Sequence, residues 1–518
     1  MSSSLRKRIL GFCTAFALIL NTGTMTVYAD PPQWPADVGI VAGAGIVVDA
    51  DSGAVLFGQQ IHVSYPPASI LKLLTALVVV ENCGMDEIVT FSDDAVHNLE
   101  PGAGNKLSLT VGDQISVEDC LHMMLLLSSN QSANALAEHV AGSREAFVEM
   151  MNKKAYELGC SPDETHFANP SGLNDDSQYV SAYDMAVIAA AAFENEDVFR
   201  ISSTKKYSVA PTINNPNGAN ISMEHRIVME ESSGSEYYCK GAVAGKTGYT
   251  SKAGNTLVTY AERDGRRVIS VILKGSDKYQ YYMDAKNIMN FGFASFKNEP
   301  VNGAETFLQE QDPVELGGNT YPASRLRLEE AVITVPLAAQ FSDAVRTVET
   351  DMPQGHPAAA VARLVYTYND RKVGSGYIYD TELEAQLAAE EASRAAEEAS
   401  RAAKESLDGA ETESREAENA PAPEETEGTG NPPGPLSGIP LTENQILILA
   451  AVLVLAAVLG CGMILVARKR RRERIARQQR RERRRQRLQE IGYNEEDFEK
   501  LMQKRRENGK GQGRDRNP

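Results

Sequence analysis

The chain has 518 residues, with 52 Lys+Arg against 70 Asp+Glu, 42% hydrophobic content and six Cys. That is length for about two or three domains, and the composition excludes a disulfide miniprotein or a collagen-like chain. The net charge of -18 hides a division, because residues 467–518 carry 20 Lys+Arg and 9 Asp+Glu, a net +11, which leaves -29 for everything before them.

Arg6-Lys7-Arg8, the apolar run Ile9–Leu20 and Val27-Tyr28-Ala29 predict a secretory signal peptide over residues 1–29, cut after Ala29. Two antiparallel hairpins are expected at Asp/Gly turns. Ile46–Ala50 and Ala54–Phe57 flank Asp51-Ser52-Gly53, and Leu257–Glu262 and Val268–Lys274 flank Asp264-Gly265. Between them, helical patterns run over Ile70–Glu81, Val117–Leu127, Ala133–Val140, Arg144–Leu158 and Ala182–Phe193. The outer segments then form one discontinuous antiparallel sheet and the middle inserts helices, an α+β class over residues 30–298. From 299 to 380 the pattern changes to short β-like runs, Ala331–Val335, Ala362–Tyr368 and Gly376–Tyr379, with Asn369-Asp370 as a turn. These predict a small β-rich second domain.

Residues 381–445 are acidic and of low complexity: Glu390–Ala396 is repeated as Glu397–Ala403, and Pro421, Pro423, Pro432, Pro433 and Pro435 follow. With only Ala at would-be seam positions, the first half suits a solvated single helix better than a coiled coil. The second half cannot pack, so the segment reads as a stalk. Ile446–Val466 is 21 residues long without a charge, enough at about 1.5 Å per residue to span the hydrocarbon core as a transmembrane helix. Arg468-Lys469-Arg470-Arg471-Arg472 follow directly. The positive-inside rule puts 467–518 in the cytoplasm, giving a single-pass type I protein with 30–445 outside.

The basic tail suits a stop-transfer signal that also touches anionic lipid headgroups. Arg474–Arg487 has no interleaved aromatic residues and no zinc or helix-turn-helix pattern, so nucleic acid is not an expected partner. The 29 Lys+Arg and 61 Asp+Glu of residues 30–466 describe a solvated surface and stalk. Cys83, Cys120, Cys160 and Cys239 fall on the outside with their pairing left open. The seven His are dispersed, with no His-Glu-x-x-His run and no Cys/His cluster, so neither a metal nor another cofactor is expected.

The sharpest local signal is Pro66-Pro67-Ala68-Ser69-Ile70-Leu71-Lys72, two prolines ahead of an apolar helix through Leu73, Leu74, Leu77 and Val78. Ser69 is expected at the helix N-terminus, where free backbone N–H groups can receive an oxyanion, with Lys72 projecting from the same face. Such a Ser and Lys make a nucleophile and base if desolvation and nearby cations let the Lys be neutral. Alone, Ser-x-x-Lys also fits a helix cap beside a snorkelling Lys. Two further triplets follow in order. Ser128-Ser129-Asn130 falls at a helix-to-helix junction after Met123–Leu127, and Lys246-Thr247-Gly248 lies in the Gly-bounded stretch Gly245–Gly254 ahead of the strand at Leu257. On an edge strand Gly248 leaves room for a substrate backbone, while Lys246 and Thr247 offer a cation and a hydroxyl to a carboxylate.

With these three motifs the chain resembles the penicillin-binding protein and serine β-lactamase superfamily. Thr165-His166-Phe167-Ala168-Asn169-Pro170-Ser171-Gly172-Leu173, Ser181-Ala182-Tyr183-Asp184-Met185 and Gly245–Thr250 narrow the resemblance to the low-molecular-mass D-alanyl-D-alanine carboxypeptidases, peptidase family S11. It covers about residues 36–298 closely and continues loosely through the β-rich region. It does not explain the stalk or the tail.

The resemblance implies a β-lactamase/transpeptidase-like catalytic domain in a bacterial cell membrane, working outside the cell. It implies removal of the terminal D-Ala from peptidoglycan pentapeptide stems, with β-lactam antibiotics as covalent inhibitors. Ser69 would be the nucleophile, Lys72 the general base, Ser128 the proton relay and Asn130 a partner of the stem amide. Lys246, Thr247, Gly248 and Tyr249 would bind substrate, with the N–H groups of Ser69 and Tyr249 facing the oxyanion. Two positions depart from the common pattern: Gln131 stands where Asp is usual, and Gln178 near a usual His. The neighbouring readings are a DD-endopeptidase, a β-lactamase with Glu164 and Asn169 near its deacylation site, and a non-catalytic wall-binding or scaffold protein.

Overall fold

The structure is a computed structural model that describes residues 32–99, 103–276, 279–353 and 355–394. The expected signal peptide, transmembrane span and basic tail, and all but the first residues of the stalk, lie outside these. Among the described residues no helix is long and apolar enough to cross a membrane.

Strands β1 (Ala44–Asp49) and β2 (Val55–Gln59) form the first hairpin. Strands β3 (Ala242–Thr250), β4 (Gly254–Arg263) and β5 (Arg266–Gly275) arrive some 180 residues later. They join the hairpin in one antiparallel sheet of order β2-β1-β5-β4-β3. The sheet is therefore closed by residues from both ends of the region, with β3 at its edge. The alternation inside β4 and β5 is weak because both faces are covered, and their central residues are buried without a break.

The helical insertion holds α1 (Lys72–Val80), α2 (Val117–Leu126), α3 (Asn130–Ala141), α4 (Arg144–Glu157) and α5 (Ala182–Glu194). All nine residues of α1 are buried, Lys72 included. A helix apolar all round belongs in the middle of a core, and α1 supplies Leu73, Leu74, Val78 and Val79 to the largest buried cluster. Ser116, Ser129, Ser143 and Ser181 accept a backbone N–H at the starts of α2, α3, α4 and α5, which is why these helices begin where they do. Helix α6 (Gln280–Ser295) covers the other face of the sheet, placing Ile288, Met289 and Phe291 against Val47, Leu56 and Leu257.

After α6, residues 296–380 build a second antiparallel sheet. Strands β6 (Phe296–Pro300), β7 (Val332–Pro336), β8 (Val345–Glu349), β9 (Ala360–Tyr368) and β10 (Arg371–Asp380) run in the order β6-β7-β10-β9-β8. The β9-β10 turn places Asn369 and Asp370 at φ 46° and 60°, the double left-handed step of a type I′ hairpin. A separate apolar cluster, including Ile333, Leu364, Tyr366 and Ile378, lies under this sheet. Asp49 joins the two sheets. It is fully buried and accepts from Arg266 Nη2 at 3.1 Å and from Asn298 Nδ2 at 3.2 Å, while Ser52 Oγ lies 2.6 Å from Thr334 Oγ1. Trp34 packs beside this seam, with ring centroids 4.8 Å from Phe296 and 6.5 Å from Tyr368. Residues 381–394 leave β10 as a largely exposed helix, tied back by Arg325 to Glu382 and Arg327 to Glu384.

Candidate active site

The turn that carries Ser69 differs from the expected plain helix start. Residues Ala68–Leu71 form a 3-10 turn, and the α-helix begins only at Lys72. Ala68 sits at φ 50°, a conformation that costs a non-glycine residue about 1–2 kcal/mol. What holds it is tertiary. Thr256 Oγ1 donates to Pro67 O at 2.9 Å, and Gly172, at φ 82°, lies so close that a Cβ there would stand 2.1 Å from Ala68 O. The Ser-Gly pair of the 165–173 stretch is thus a seat for the turn that carries Ser69.

Lys72 Nζ has three neighbours: Ser69 Oγ at 3.0 Å, Asn130 Oδ1 at 2.9 Å and Ser171 O in close contact. Burial first, then the Lys246 and Lys106 cations, push the Lys72 amine well below its ordinary range. A neutral amine has two N–H bonds and one lone pair. Two of the three neighbours are acceptors without a proton to give, so the lone pair is left for the third, the Ser69 hydroxyl.

The second triplet sits between α2 and α3 as expected. Ser128 is at φ 61°, Ser129 caps α3 through Ser132 N at 3.1 Å, and Asn130 opens that helix. Lys246, on the edge strand β3, is buried and donates to Ser128 Oγ at 3.0 Å and to Thr247 O at 2.7 Å. Burial and the Lys106 cation pull Lys246 down against the Glu224 carboxylate, to about 7. Gly248 faces Ser69 across the cleft, and Tyr249 is 68% exposed at its mouth. The structure thus joins Ser69, Lys72 and Asn130 in one hydrogen-bonded group and Ser128 with Lys246 in a second, with Gly248 against Ser69.

Several residues that shape the site carry no mark in the sequence. The Ser171 carbonyl is a backbone atom. Its position is set by Asn169 Oδ1, which accepts from Ser171 N at 3.2 Å and Gly172 N at 2.7 Å. Lys106 and Glu224 come from loops 118 residues apart and pair beside Ser128. His225 is wholly buried behind β3, with Nε2 at 3.0 Å from both Val258 O and Thr259 Oγ1, and burial lowers it to about 4.

The two departures from the common pattern are accounted for locally. Gln178 Oε1 accepts from Ala168 N and Asn169 N, both at 3.2 Å, and its Nε2 donates to Leu173 O at 2.9 Å. It therefore braces the same turn as Asn169. Gln131 is buried and reaches Gly104 O at 3.4 Å. Glu164 points elsewhere, to His62 Nδ1 at 3.1 Å, and Asn169 is engaged with its own turn. Cys83, Cys120, Cys160 and Cys239 are buried free thiols.

The profile that describes the D-alanyl-D-alanine carboxypeptidases of peptidase family S11 matches residues 29–277. The chain is 34% identical over 268 residues to D-alanyl-D-alanine carboxypeptidase DacB2 of Mycobacterium tuberculosis, across 51% of this chain and 84% of that one. It is 29% identical over 298 residues to DacF of Bacillus subtilis, across 57% and 73%. The solved structure of penicillin binding protein 6B from Escherichia coli is similar with a TM-score of 0.50 at 25% identity, covering 67% of this chain and 98% of that chain.

Proposed function

The chain belongs to the S11 family of D-alanyl-D-alanine carboxypeptidases, serine-type hydrolases, and we propose that it removes the terminal D-alanine of peptidoglycan stem peptides through an acyl-enzyme on Ser69. The observation that carries the mechanism is the Lys72 amine, buried and 3.0 Å from Ser69 Oγ with both other acceptors already fixed.

In the first step Ser69 gives its proton to Lys72 as Oγ bonds to the carbonyl carbon of the penultimate D-Ala. The oxyanion lies toward the N–H groups of Ser69 and Tyr249. Collapse breaks the carbon–nitrogen bond, and the leaving amine takes a proton from Ser128, which Lys246 replaces. Water then adds to the ester and returns a proton by way of Ser128 to Lys246, while Lys72 returns its own to Ser69. Lys246 and Thr247 receive the terminal carboxylate, Asn130 orients the stem amide, and Gly248 gives the substrate backbone room. β-Lactams acylate the same Ser69. The placement of Glu164 supports a carboxypeptidase over a β-lactamase, since its carboxylate pairs with the exposed His62 ring and makes no hydrogen bond to the Ser69, Lys72 and Asn130 group.

We read residues 30–298 as the catalytic domain and 299–380 as a β-rich second domain. Residues 381–445 form a stalk, 446–466 an anchor, and 1–29 a signal peptide. That arrangement holds the cleft outside a bacterial cell membrane, with the basic tail at the inner leaflet. The support for anchor and tail is the uncharged run and the Arg/Lys cluster after it. The test is D-Ala release from diacetyl-Lys-D-Ala-D-Ala by the full chain in detergent, beside Ser69→Ala. Release that survives Ser69→Ala, or a folded wild-type protein that releases none, refutes the assignment.

A further inference from the structure

Helix α2 ends in a strained turn whose last carbonyls are held from outside the helix. Lys106 Nζ donates to Leu127 O at 2.8 Å, and Glu224 N donates to Leu126 O at 3.2 Å. The two side chains pair with one another. The next residue is Ser128, at φ 61°, whose Oγ accepts from Lys246 at 3.0 Å. A left-handed Ser keeps its place only where surrounding contacts over-determine it, and these are the contacts that come from other loops.

We propose that Lys106 and Glu224 are a coupled pair of positioning residues, holding the Ser128 turn against Lys246 and balancing the charge at the carboxylate-receiving end of the cleft. The proposal rests on the carboxypeptidase reading, in which that end protonates the leaving amine. Neither residue touches the nucleophile. Their side chains are 48% and 42% exposed, so the pair contributes little to stability as an ion pair, and its effect falls on the geometry and charge of the turn.

The groups that face Lys246 are Lys72, Lys106, Glu224 and His225. Lys106 opposes protonation of both Lys72 and Lys246, while Glu224 favours protonation of Lys246 alone. The reaction needs Lys72 neutral and Lys246 protonated, so its rate rises with pH through the first group and falls through the second. Loss of the Lys106 cation raises both, moving both limbs of the profile to higher pH. Loss of the Glu224 charge lowers Lys246, moving the alkaline limb alone to lower pH.

The experiment follows acylation by a fluorescent penicillin and D-Ala release from diacetyl-Lys-D-Ala-D-Ala between about pH 4 and 10. It uses the full chain in detergent and its Lys106→Met, Lys106→Arg and Glu224→Gln variants, with thermal unfolding of each. Lys106→Met is expected to slow acylation at pH 7 by about tenfold or more and displace both limbs upward. Lys106→Arg, which keeps the charge and a donor for Leu127 O, stays within about threefold of wild type. Glu224→Gln displaces the alkaline limb downward. Rates of folded Lys106→Met and Glu224→Gln within twofold of wild type, or slowing with neither limb displaced, would overturn the pair. An Lys106→Arg chain as slow as Lys106→Met would do the same. Should Lys106→Met not fold, the direction of the Glu224→Gln displacement decides alone. A wild-type chain that acylates but releases no D-Ala refutes the carboxypeptidase reading, and the acylation profiles still judge the pair.

Discussion

Gly248→Ala isolates the approach of the edge strand to the nucleophile. The backbone of Gly248 is in a region any residue adopts, so the added methyl acts through space alone. A Cβ there would stand 2.3 Å from Thr256 Oγ1, 2.8 Å from Ser69 N and 3.1 Å from Ala68 Cβ. Ordinary contact begins at 3.4 Å, so Ser69 N must retreat by about 0.6 Å and Thr256 Oγ1 by about 1.1 Å, within the displacement of about 1 Å that costs some hundredfold in rate. Thr256 cannot rotate away without releasing Pro67 O, so the strain passes into the turn that carries Ser69. The substitution should lower the acylation rate about a hundredfold and destabilise the fold by about 1–3 kcal/mol. Fluorescent-penicillin acylation of the variant beside wild type, with thermal unfolding of both, gives the two numbers. Adding Thr256→Ala relieves the closest clash but not the one on Ser69, so the double variant stays slow. A folded Gly248→Ala chain that acylates within threefold of wild type refutes the argument.

His225 makes the fold sensitive to acid. Its folded value of about 4 lies below an unfolded value near 6.5, so the unfolded chain binds the extra proton first and stability is lost as pH falls from about 6.5 toward 4. The loss attributable to this ring is about 2 kcal/mol at pH 5 relative to neutral pH, and the difference between wild type and His225→Asn in denaturant titrations at pH 7 and 5 measures it. Equal pH dependence in the two chains would show that the ring does not titrate as its burial requires. At the seam between the sheets, Asp49→Ala leaves Arg266 without its buried carboxylate and should cost about 3–5 kcal/mol. The emission of Trp34, the single Trp of the chain, reports the loosening. Acylation of Ser69 at 25 °C should be unchanged, because Asp49 lies four residues along β1 from Gly45, which the strand register puts level with Thr247, the neighbour of Gly248.

Much of this molecule was legible where one physical pattern dominates a stretch. The helices at 117–126, 144–157 and 182–194 are bounded by Ser caps and sustained apolar spacing, and they match the expected spans within a residue or two. The hairpin turns at Gly53, Gly265 and Asn369-Asp370 were marked by residues that tolerate positive φ. Helix α6 carried no comparable mark. Its buried side mixes Tyr281, Tyr282 and Phe291 with Asp284 and Gly292, and its first turn has no side-chain cap, so period and punctuation both fail. The 3-10 turn at Ala68 was hidden for a different reason: the strain is imposed by Thr256 and Gly172, roughly 190 and 100 residues away. The same holds for Lys106 and Glu224. Triplets of catalytic type can be found along a sequence, but the groups that tune them meet only through the fold.

The charge in the cleft argues for the kind of bond it cuts. Lys72 and Lys246 are both fully buried, Lys106 stands close enough to oppose the protonation of each, and the Glu224 carboxylate favours a cation at Lys246. With Lys72 neutral, the protonated Lys246 is still under-compensated until something negative arrives. A substrate that ends in a carboxylate supplies that charge, and one that continues, or ends in an amide, does not. Removing one partner of a buried charge pair costs about 2–5 kcal/mol, which converts to a loss of about thirtyfold to several thousandfold. Diacetyl-Lys-D-Ala-D-Ala amide should therefore be turned over at least about thirtyfold less efficiently than the free acid, with the deficit shrinking as pH rises and Lys246 loses its proton in both cases. Comparison of kcat/KM for the two peptides at pH 6 and pH 9 tests this, and an amide hydrolysed as fast as the acid at pH 6 would remove Lys246 from the recognition of the chain end.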